Sequence, residues 1–194
     1  LVFPELPGGG GVRTTTNDLI ATMFNSLVFS TNTASPGYIL TGNAITLGQP
    51  GVPGTGFISV SGSSIGNDIQ LPINLGSGPE NQFFTISGAL TNSGSLSGTA
   101  LATLTKQGTG TLTLSADNSN YSGTITVNSD SGILAISNPH ALGTTAKGTT
   151  IGTNSTLELL DGASTSSDKL NEPILLNGPG SNSTGALFNA AGDN

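Results

Sequence analysis

The chain has 194 residues, of which 8% are charged and 34% are hydrophobic, and its 11 acidic and 4 basic side chains give a net charge of −7. Nucleic acids and anionic membrane surfaces are bound by clustered positive charge, which four scattered basic residues cannot supply, so neither is expected as a partner. The sequence contains no cysteine, which excludes disulfides and thiolate metal sites.

Taken in chain order, short apolar runs bounded by Gly, Asn, Asp, Ser or Pro predict β-strands throughout the chain. The first is "LVF" at 1–3, followed by the glycine run 8–11, so residues 1–11 are interpreted as a strand and a linker. Further strands are predicted at 45–47, 57–60, 69–75, 83–87, 111–115, 124–127, 133–136, 156–160 and 174–176. Only 17–27 and 167–176 are candidates for a short helical turn, so the chain is predicted to be all-β.

Apolar and polar residues alternate within the predicted strands. In "IQLPINL" (69–75), Ile69, Leu71, Ile73 and Leu75 are expected to face a core. Alternation of this kind suits a sandwich or barrel of antiparallel hairpins, and it also suits a parallel β-solenoid in which similar coils stack and share one core. Thr-rich outer faces and weak self-similarity favour the solenoid, with residues 1–194 as one segment and turns of Gly, Asn, Asp and Ser.

One stretch carries a more specific pattern than the rest. The sequence "LTKQGTGTLTLSADNSNYSGTITVNSDSGILAISNPHALG" (104–143) combines a Leu-Thr-Lys start, a Gly-x-Gly pair, a Thr-Leu-Thr-Leu-Ser strand, an Asn-Tyr-Ser-Gly turn and an Ala-Leu-Gly ending. It closely resembles the autotransporter-associated β-strand repeat. The motif residues are Lys106, Gly108, Gly110, Asn120, Tyr121, Gly123, Gly132 and Gly143. The resemblance implies a right-handed parallel β-helix in a long, secreted, passenger-like protein.

The motif residues have structural interpretations. The glycines are expected at coil corners, where a positive φ or a close backbone approach is needed. Asn120 suits the same turns and is expected to stack on an asparagine of the next coil. Tyr121 is predicted to cap a corner on the coil surface, with a structural hydroxyl, and Lys106 is predicted to be a solvated residue of the outer face.

Candidate catalytic residues are few. His140 is the only histidine, and its turn context indicates a surface or packing role. Carbohydrate-active enzymes need two or three converging carboxylates, whereas Asp117, Asp130, Asp161 and Asp168 each stand among turn residues. We therefore predict no catalytic, cofactor-binding or metal-binding residue and no enzyme. Coil stacking can still align two carboxylates, which leaves a weak calcium site open.

The sequence thus predicts a structural segment of an exported bacterial β-helix protein, located extracellularly or at the cell surface. Such a segment would build a stalk, fibre or filament that supports adhesion or a biofilm matrix. No apolar run approaches the ~18 residues of a spanning helix, so membrane insertion by this segment is not expected. No signal-peptide pattern opens the chain, so the export signal is expected outside it. Neither end carries a polar cap, so we expect either a segment of a longer chain or self-association by end-to-end stacking of like segments into a filament.

Two other functions remain open. An adhesin-type module that recognises glycans or a host surface protein would need exposed aromatic side chains, for which Phe83, Phe84 and Tyr38 are candidates. A β-helix carbohydrate-active enzyme would need acidic groups within ~5–10 Å of each other.

Overall fold

In a computed structural model the chain is all-β. The structure describes residues 1–4, 11–30, 37–49, 52, 54–62 and 66–194. Every strand pairing among these residues is parallel and joins strands one coil apart, so the chain winds as a β-solenoid of about seven turns. The predicted solenoid is confirmed, and the antiparallel sandwich or barrel is excluded.

The strands are β1 (Val2–Phe3), β2 (Arg13–Asn17), β3 (Thr22–Phe24), β4 (Ser26–Ser30), β5 (Tyr38–Gly42), β6 (Ile45–Leu47), β7 (Phe57–Ser61), β8 (Asn67–Ile69), β9 (Ile73–Asn74), β10 (Asn81–Ile86), β11 (Ala89–Asn92), β12 (Leu96–Ser97), β13 (Thr103–Gln107), β14 (Thr111–Leu114), β15 (Thr124–Val127), β16 (Gly132–Ile136), β17 (Thr149–Ile151), β18 (Ser155–Leu159), β19 (Ile174–Leu176) and β20 (Leu187–Asn189). One 3₁₀ turn lies at Ser181–Ser183. No helix in the described part of the chain is long and apolar enough to cross a membrane.

The strands form three sheets. Sheet A has the order β1-β4-β7-β10-β13-β15-β17-β19, and sheet B has the order β2-β5-β8-β11-β14-β16-β18-β20. Sheet C contains only β3, β6, β9 and β12, and a single bridge from Gly98 to Tyr121 extends it. Beyond that bridge, turns and loops close the third face of the described coils.

Coil length varies while the sheets stay in register. The shortest spacing between register partners joins Thr103 to Thr124, 21 residues apart, and the longest joins Val28 to Ser59, 31 residues apart. At the ~4.8 Å separation of neighbouring strands, the eight rungs of sheets A and B span about 34 Å. The hydrogen-bonded ladders therefore determine the axis of the solenoid, and the additional residues of the longer coils lie in the corners between strands.

Stacked side chains fill the interior in columns. Register in sheet A aligns Leu27, Ile58, Phe84, Lys106, Val127 and Ile151. The apolar members of this column are all 0% exposed. Burial of each such side chain stabilises the fold by roughly 1.5–3 kcal/mol. One lysine interrupts this otherwise apolar column.

Two sequence predictions need correction, and a third lies partly outside the described residues. The predicted strand 69–75 is broken, because β8 ends at Ile69 and the chain bends through 70–72 before β9 begins at Ile73. Pro72 has no N–H donor for a ladder and suits this bend. The helical candidate 17–27 is built from β2, β3 and β4, and 167–176 ends in β19. The first strand is present as β1, paired with β4, but of the glycine run 8–11 only Gly11 is described.

Candidate functional site: the buried polar corner of the repeat

Lys106 lies inside the solenoid, so its predicted place on the outer face is wrong. It is on β13, two residues after the inward-facing Leu104, and both are 0% exposed. The Nζ group donates a hydrogen bond to the Gly108 carbonyl at 3.0 Å and another to the Ser131 carbonyl. These two bonds tie the corner that follows β13 to the turn that precedes β16.

Burial alters the protonation of Lys106. The ammonium has no carboxylate partner among the described residues, and desolvation lowers the pKa of Lys106 from 10.5 to about 7. Near neutral pH the amine is therefore only partly protonated. Its two acceptors are neutral carbonyls, to which the amine can donate whether it is charged or not.

Tyr121 is fully buried where the third face joins sheet A, and it does not cap the coil surface as predicted. Its hydroxyl accepts a hydrogen bond from the Leu104 N–H at 3.1 Å and donates to the Thr124 carbonyl at 2.8 Å. Burial raises the pKa of Tyr121 well above its usual value, while the bond from Leu104 acts in the opposite direction. The hydroxyl therefore stays neutral and links β13 to β15.

Glycines make the space that Tyr121 occupies. A Cβ atom at Gly123 would lie 2.6 Å from the Tyr121 hydroxyl and 2.1 Å from the Ala102 carbonyl oxygen. At Gly143, where φ is +96°, a Cβ would lie 2.4 Å from the Tyr121 carbonyl oxygen. A Cβ atom at Gly98, on the preceding coil, would lie 3.1 Å from a carbon of the ring. The conformation at Gly143 and the crowding at Gly123 and Gly143 require glycine, whereas a side chain at Gly98 would require a small shift of the ring.

The remaining motif glycines lie where sheet A turns into sheet B. A Cβ at Gly110 would lie 1.9 Å from the Gly88 carbonyl oxygen of the coil before. At Gly108 and Gly132 the backbone has positive φ values of 77° and 67°, and a Cβ would strike the neighbouring coil. Successive corners can stack at ladder spacing because these residues have no side chain.

Asn118, which the sequence analysis did not single out, is the buried asparagine of this region. Asn118 is 0% exposed; its Oδ1 accepts from the Leu96 N–H at 2.7 Å, and its Nδ2 donates to the Ala141 carbonyl at 2.6 Å. It thus joins the coil before to the coil after. Asn120 is exposed, and its carbonyl accepts from the Gly98 N–H. The sequence "ADNSNYS" has no periodicity that distinguishes the two asparagines, so sequence reasoning missed Asn118.

The polar groups inside residues 104–136 therefore serve to hold coils together. Residues 104–136 match the passenger-associated-transport-repeat. The matched stretch includes Lys106, Tyr121 and Gly132 and ends before His140 and Gly143. The resemblance to the autotransporter-associated repeat is confirmed for this stretch. No curated protein and no solved structure matches the chain. The transport repeat and the solenoid fold together fit a segment of an exported autotransporter passenger.

Of the four aspartates considered as catalytic candidates, two lie in separate turns inside the matched stretch 104–136 and two lie in the loop between β18 and β19. Asp117 accepts from the Ser119 N–H at 2.9 Å, and this bond lowers the pKa of Asp117. Asp130 has a φ of 57° and accepts from the Asn154 amide at 2.9 Å. Asp161 is exposed at the start of a loop. Across the described part of the chain, no group of three His, Cys, Asp or Glu residues is placed to hold a metal ion.

His140 lies in a turn at the surface, as predicted, and contacts a carboxylate of the next coil. Its Nε2 is 3.2 Å from the carboxylate of Asp168, the fourth aspartate, which belongs to the next coil. Both side chains are close to half exposed. The contact is an ion pair only while the imidazole is protonated.

A cleft of about 150 Å³ lies beside this ion pair. Its lining includes Ser119, His140, Thr144, Lys169 and Glu172. Glu172 is only 9% exposed, and neither carboxyl oxygen has a hydrogen-bond partner among the described residues. Burial raises the pKa of Glu172 to about 7, and the nearby Thr149 hydroxyl acts in the opposite direction. Sequence reasoning missed Glu172 because its burial depends on how a long loop packs.

The aromatic candidates for a binding face mostly belong to the core. Phe84 is 0% exposed, and Tyr38 is buried, with its hydroxyl donating to the Pro4 carbonyl at 2.9 Å. Phe83 faces outward on sheet A, where register places it beside Phe57, which is 40% exposed. Two neighbouring outward phenylalanines therefore remain as a small apolar patch on this face.

Proposed function

We propose that this chain is a structural segment of an exported bacterial β-helix protein that builds a stalk, fibre or filament at the cell surface. The observation that carries the proposal is the continuity of sheets A and B through eight parallel rungs. Each coil contacts only its neighbours, so a chain of such coils extends along one axis without a change of fold. The match to the transport repeat supports export.

The buried polar contacts support a mechanical role. Lys106, Tyr121 and Asn118 each form hydrogen bonds that leave their own coil. An unsatisfied buried partner costs about 1–3 kcal/mol, so displacing one coil against the next is opposed at these points. Such contacts make the stack stiff against shear as well as against bending.

The two terminal coils are proposed to receive further coils of the same kind. Ile20 is 87% exposed on the first coil, and Leu187, in register with the buried Leu157, is 48% exposed on the last. Strands β1 and β20 each have one neighbour, so one edge of each is open. A second copy placed head to tail would continue the parallel ladders and cover both apolar ends.

Electron microscopy and sedimentation of the purified chain at neutral pH test these statements separately. End-to-end docking predicts fibres with an axial repeat of about 34 Å plus one rung spacing. It also predicts that Leu187→Lys, which places a charge at the open end of the interior column, converts these fibres into discrete rods. Rods of the wild-type chain at all concentrations would overturn docking of copies but leave the stalk role intact. A flexible or globular particle would overturn the stalk role itself.

Labelling of intact cells tests the proposed surface location. Antibodies against the chain should label intact cells of the source bacterium, and external protease should remove the label. Labelling only after the cells are permeabilised would contradict a surface location.

A second function is favoured by the patch of Phe57 and Phe83. Apolar aromatic faces contribute strongly to contacts with partners, so this patch fits an adhesin surface for a glycan or a host protein. Binding to a glycan array or to host extracellular proteins that is abolished by Phe57→Ser, with the fold unchanged, would establish this function. Equal binding by the wild-type chain and the variant would exclude a role of this patch in adhesion.

A further inference from the structure

The loop between β18 and β19, residues 160–173, closes the third face of the coil and is called the covering loop below. Its backbone is attached at its ends, where the Leu160 N–H donates to the Ile136 carbonyl at 2.9 Å and the Pro173 carbonyl accepts from Thr149 at 2.9 Å. Between these points, the described backbone-to-backbone bonds, from Ala163 to Leu160 and from Thr165 to Asp168, stay within the loop. The middle of the loop is therefore held to the rest of the solenoid by side chains.

Side-chain contacts connect the covering loop to its surroundings at several points. Ala163 is buried and Leu170 packs against the core, which gives an apolar attachment. Asp168 forms the ion pair with His140 of the preceding turn, 137–148. Glu172 turns its carboxyl inward, beside Thr149, whose hydroxyl oxygen is buried and also lacks a hydrogen-bond partner among the described residues.

Burial favours the protonated form of Glu172 over the ionised form. The Thr149 hydroxyl can donate to a carboxylate or accept from a protonated carboxyl group, so the preference comes from burial and not from this contact. A buried carboxylate without a partner carries a large desolvation cost. The raised pKa of Glu172 is consistent with this geometry.

The other titratable groups near the loop do not offset this charge. Tyr121 lies close enough that the charges of its hydroxyl and of Glu172 oppose each other. Lys169 lines the same cleft but makes no ion pair with Glu172 in the described structure. Lys147, in the same turn as His140, is exposed and does not line the cleft. His140 interacts with a second carboxylate, that of Asp117.

We propose that the covering loop is a pH-dependent latch, closed on the turn 137–148 when Glu172 is protonated and released when Glu172 loses its proton. The buried Glu172 binds a proton more tightly in the closed form, so closure is strongest in mild acid and weakens as the pH rises through neutrality. The inference does not depend on the proposed stalk function. With such a latch, one face of the solenoid changes its conformation between mild acid and mild base.

Hydrogen exchange of the intact chain, followed by mass spectrometry, tests the latch. After division by the intrinsic exchange rate, protection of the amides in 160–173 should fall at least about tenfold between pH 5.5 and pH 8. Protection of β16 should change much less. Because the chain has no native cysteine, spin labels at Ser166→Cys and Ala146→Cys can report the loop-to-turn distance directly. That distance should lengthen or broaden at pH 8.

Three variants separate the latch from a general loss of stability. Glu172→Gln keeps a neutral side chain at every pH and should retain protection of the loop at pH 8. His140→Gln removes the contact with Asp168 and should lower protection of the loop without abolishing its pH dependence. Glu158→Gln makes the same chemical change as Glu172→Gln on β18 and should behave as wild type. Equal protection at both pH values in the wild-type chain, or a Glu172→Gln variant that opens like wild type, would overturn the proposal.

Discussion

Replacement of Lys106 by methionine tests the buried amine most directly. Methionine fills a similar elongated space without a charge. The pKa of Lys106 is about 7 in the folded chain and 10.5 when solvated. Between these values the unfolded chain binds more protons than the folded chain, so the free energy of unfolding rises with pH.

The size of this effect follows from the two pKa values. Linkage gives an increase of about 2 kcal/mol in the free energy of unfolding of the wild-type chain between pH 7 and pH 9. Hydrogen bonds from the ammonium to the Gly108 and Ser131 carbonyls favour the charged form, so this is an upper limit. The Lys106→Met variant should lack this increase. It leaves two carbonyls without their donor, so its stability at pH 7 rises by less than removal of the buried charge alone would give.

Urea unfolding followed by far-UV circular dichroism measures the effect at pH 7, 8 and 9. The difference between wild type and variant at each pH cancels the contribution of other titrating groups, including Glu172. Lys147→Met is the matched control, because Lys147 is exposed, and it should keep the wild-type pH dependence. A Lys106→Met variant with the same slope as wild type would refute the assignment of the buried amine.

Three substitutions test the remaining contacts of the repeat by the same unfolding measurement. Tyr121→Phe removes the acceptor of the buried Leu104 N–H and should lower the free energy of unfolding by about 1–3 kcal/mol. Tyr38→Phe is the control and should lower it less, because the Tyr38 hydroxyl donates to a partly buried carbonyl. Equal losses of stability in the two variants would contradict the role of Tyr121. Gly123→Ala should destabilise the fold by about 3 kcal/mol, because the added Cβ meets both Tyr121 and Ala102. Gly11→Ala is the control; it has open space around it and should change stability by less than about 0.5 kcal/mol. Asn118→Ala should lower the free energy of unfolding by about 2–4 kcal/mol, because it leaves the Leu96 N–H and the Ala141 carbonyl without partners. A similar loss of stability in Asn120→Ala would contradict the distinction between the two asparagines.

Much of the fold was predictable because strand signals are local. Alternation in 69–75 placed four apolar side chains inside, even though the chain bends in the middle of this stretch. The same alternation places Lys106 inside the solenoid, because it lies two residues after Leu104 and therefore on the same side of β13. The incorrect prediction of an outer-face position followed from the charge of lysine and not from its position in the strand.

Other features depend on contacts between distant parts of the chain and leave no local pattern. The choice of Asn118 over Asn120 is decided by donors and acceptors on two neighbouring coils. The inward position of Glu172 results from the packing of the loop 160–173 over the turn 137–148, more than 20 residues earlier. A single sequence specifies these contacts only through the complete three-dimensional arrangement.

The unequal length of the coils has a consequence for the response of the chain to tension. When the two ends are pulled apart, parallel neighbours separate one coil at a time from an end, since each coil is bonded only to the next. Each detached coil, between 21 and 31 residues long, releases roughly 70–110 Å of extended chain. A rod of about 34 Å can thus lengthen many times over in discrete steps while its remaining coils stay folded.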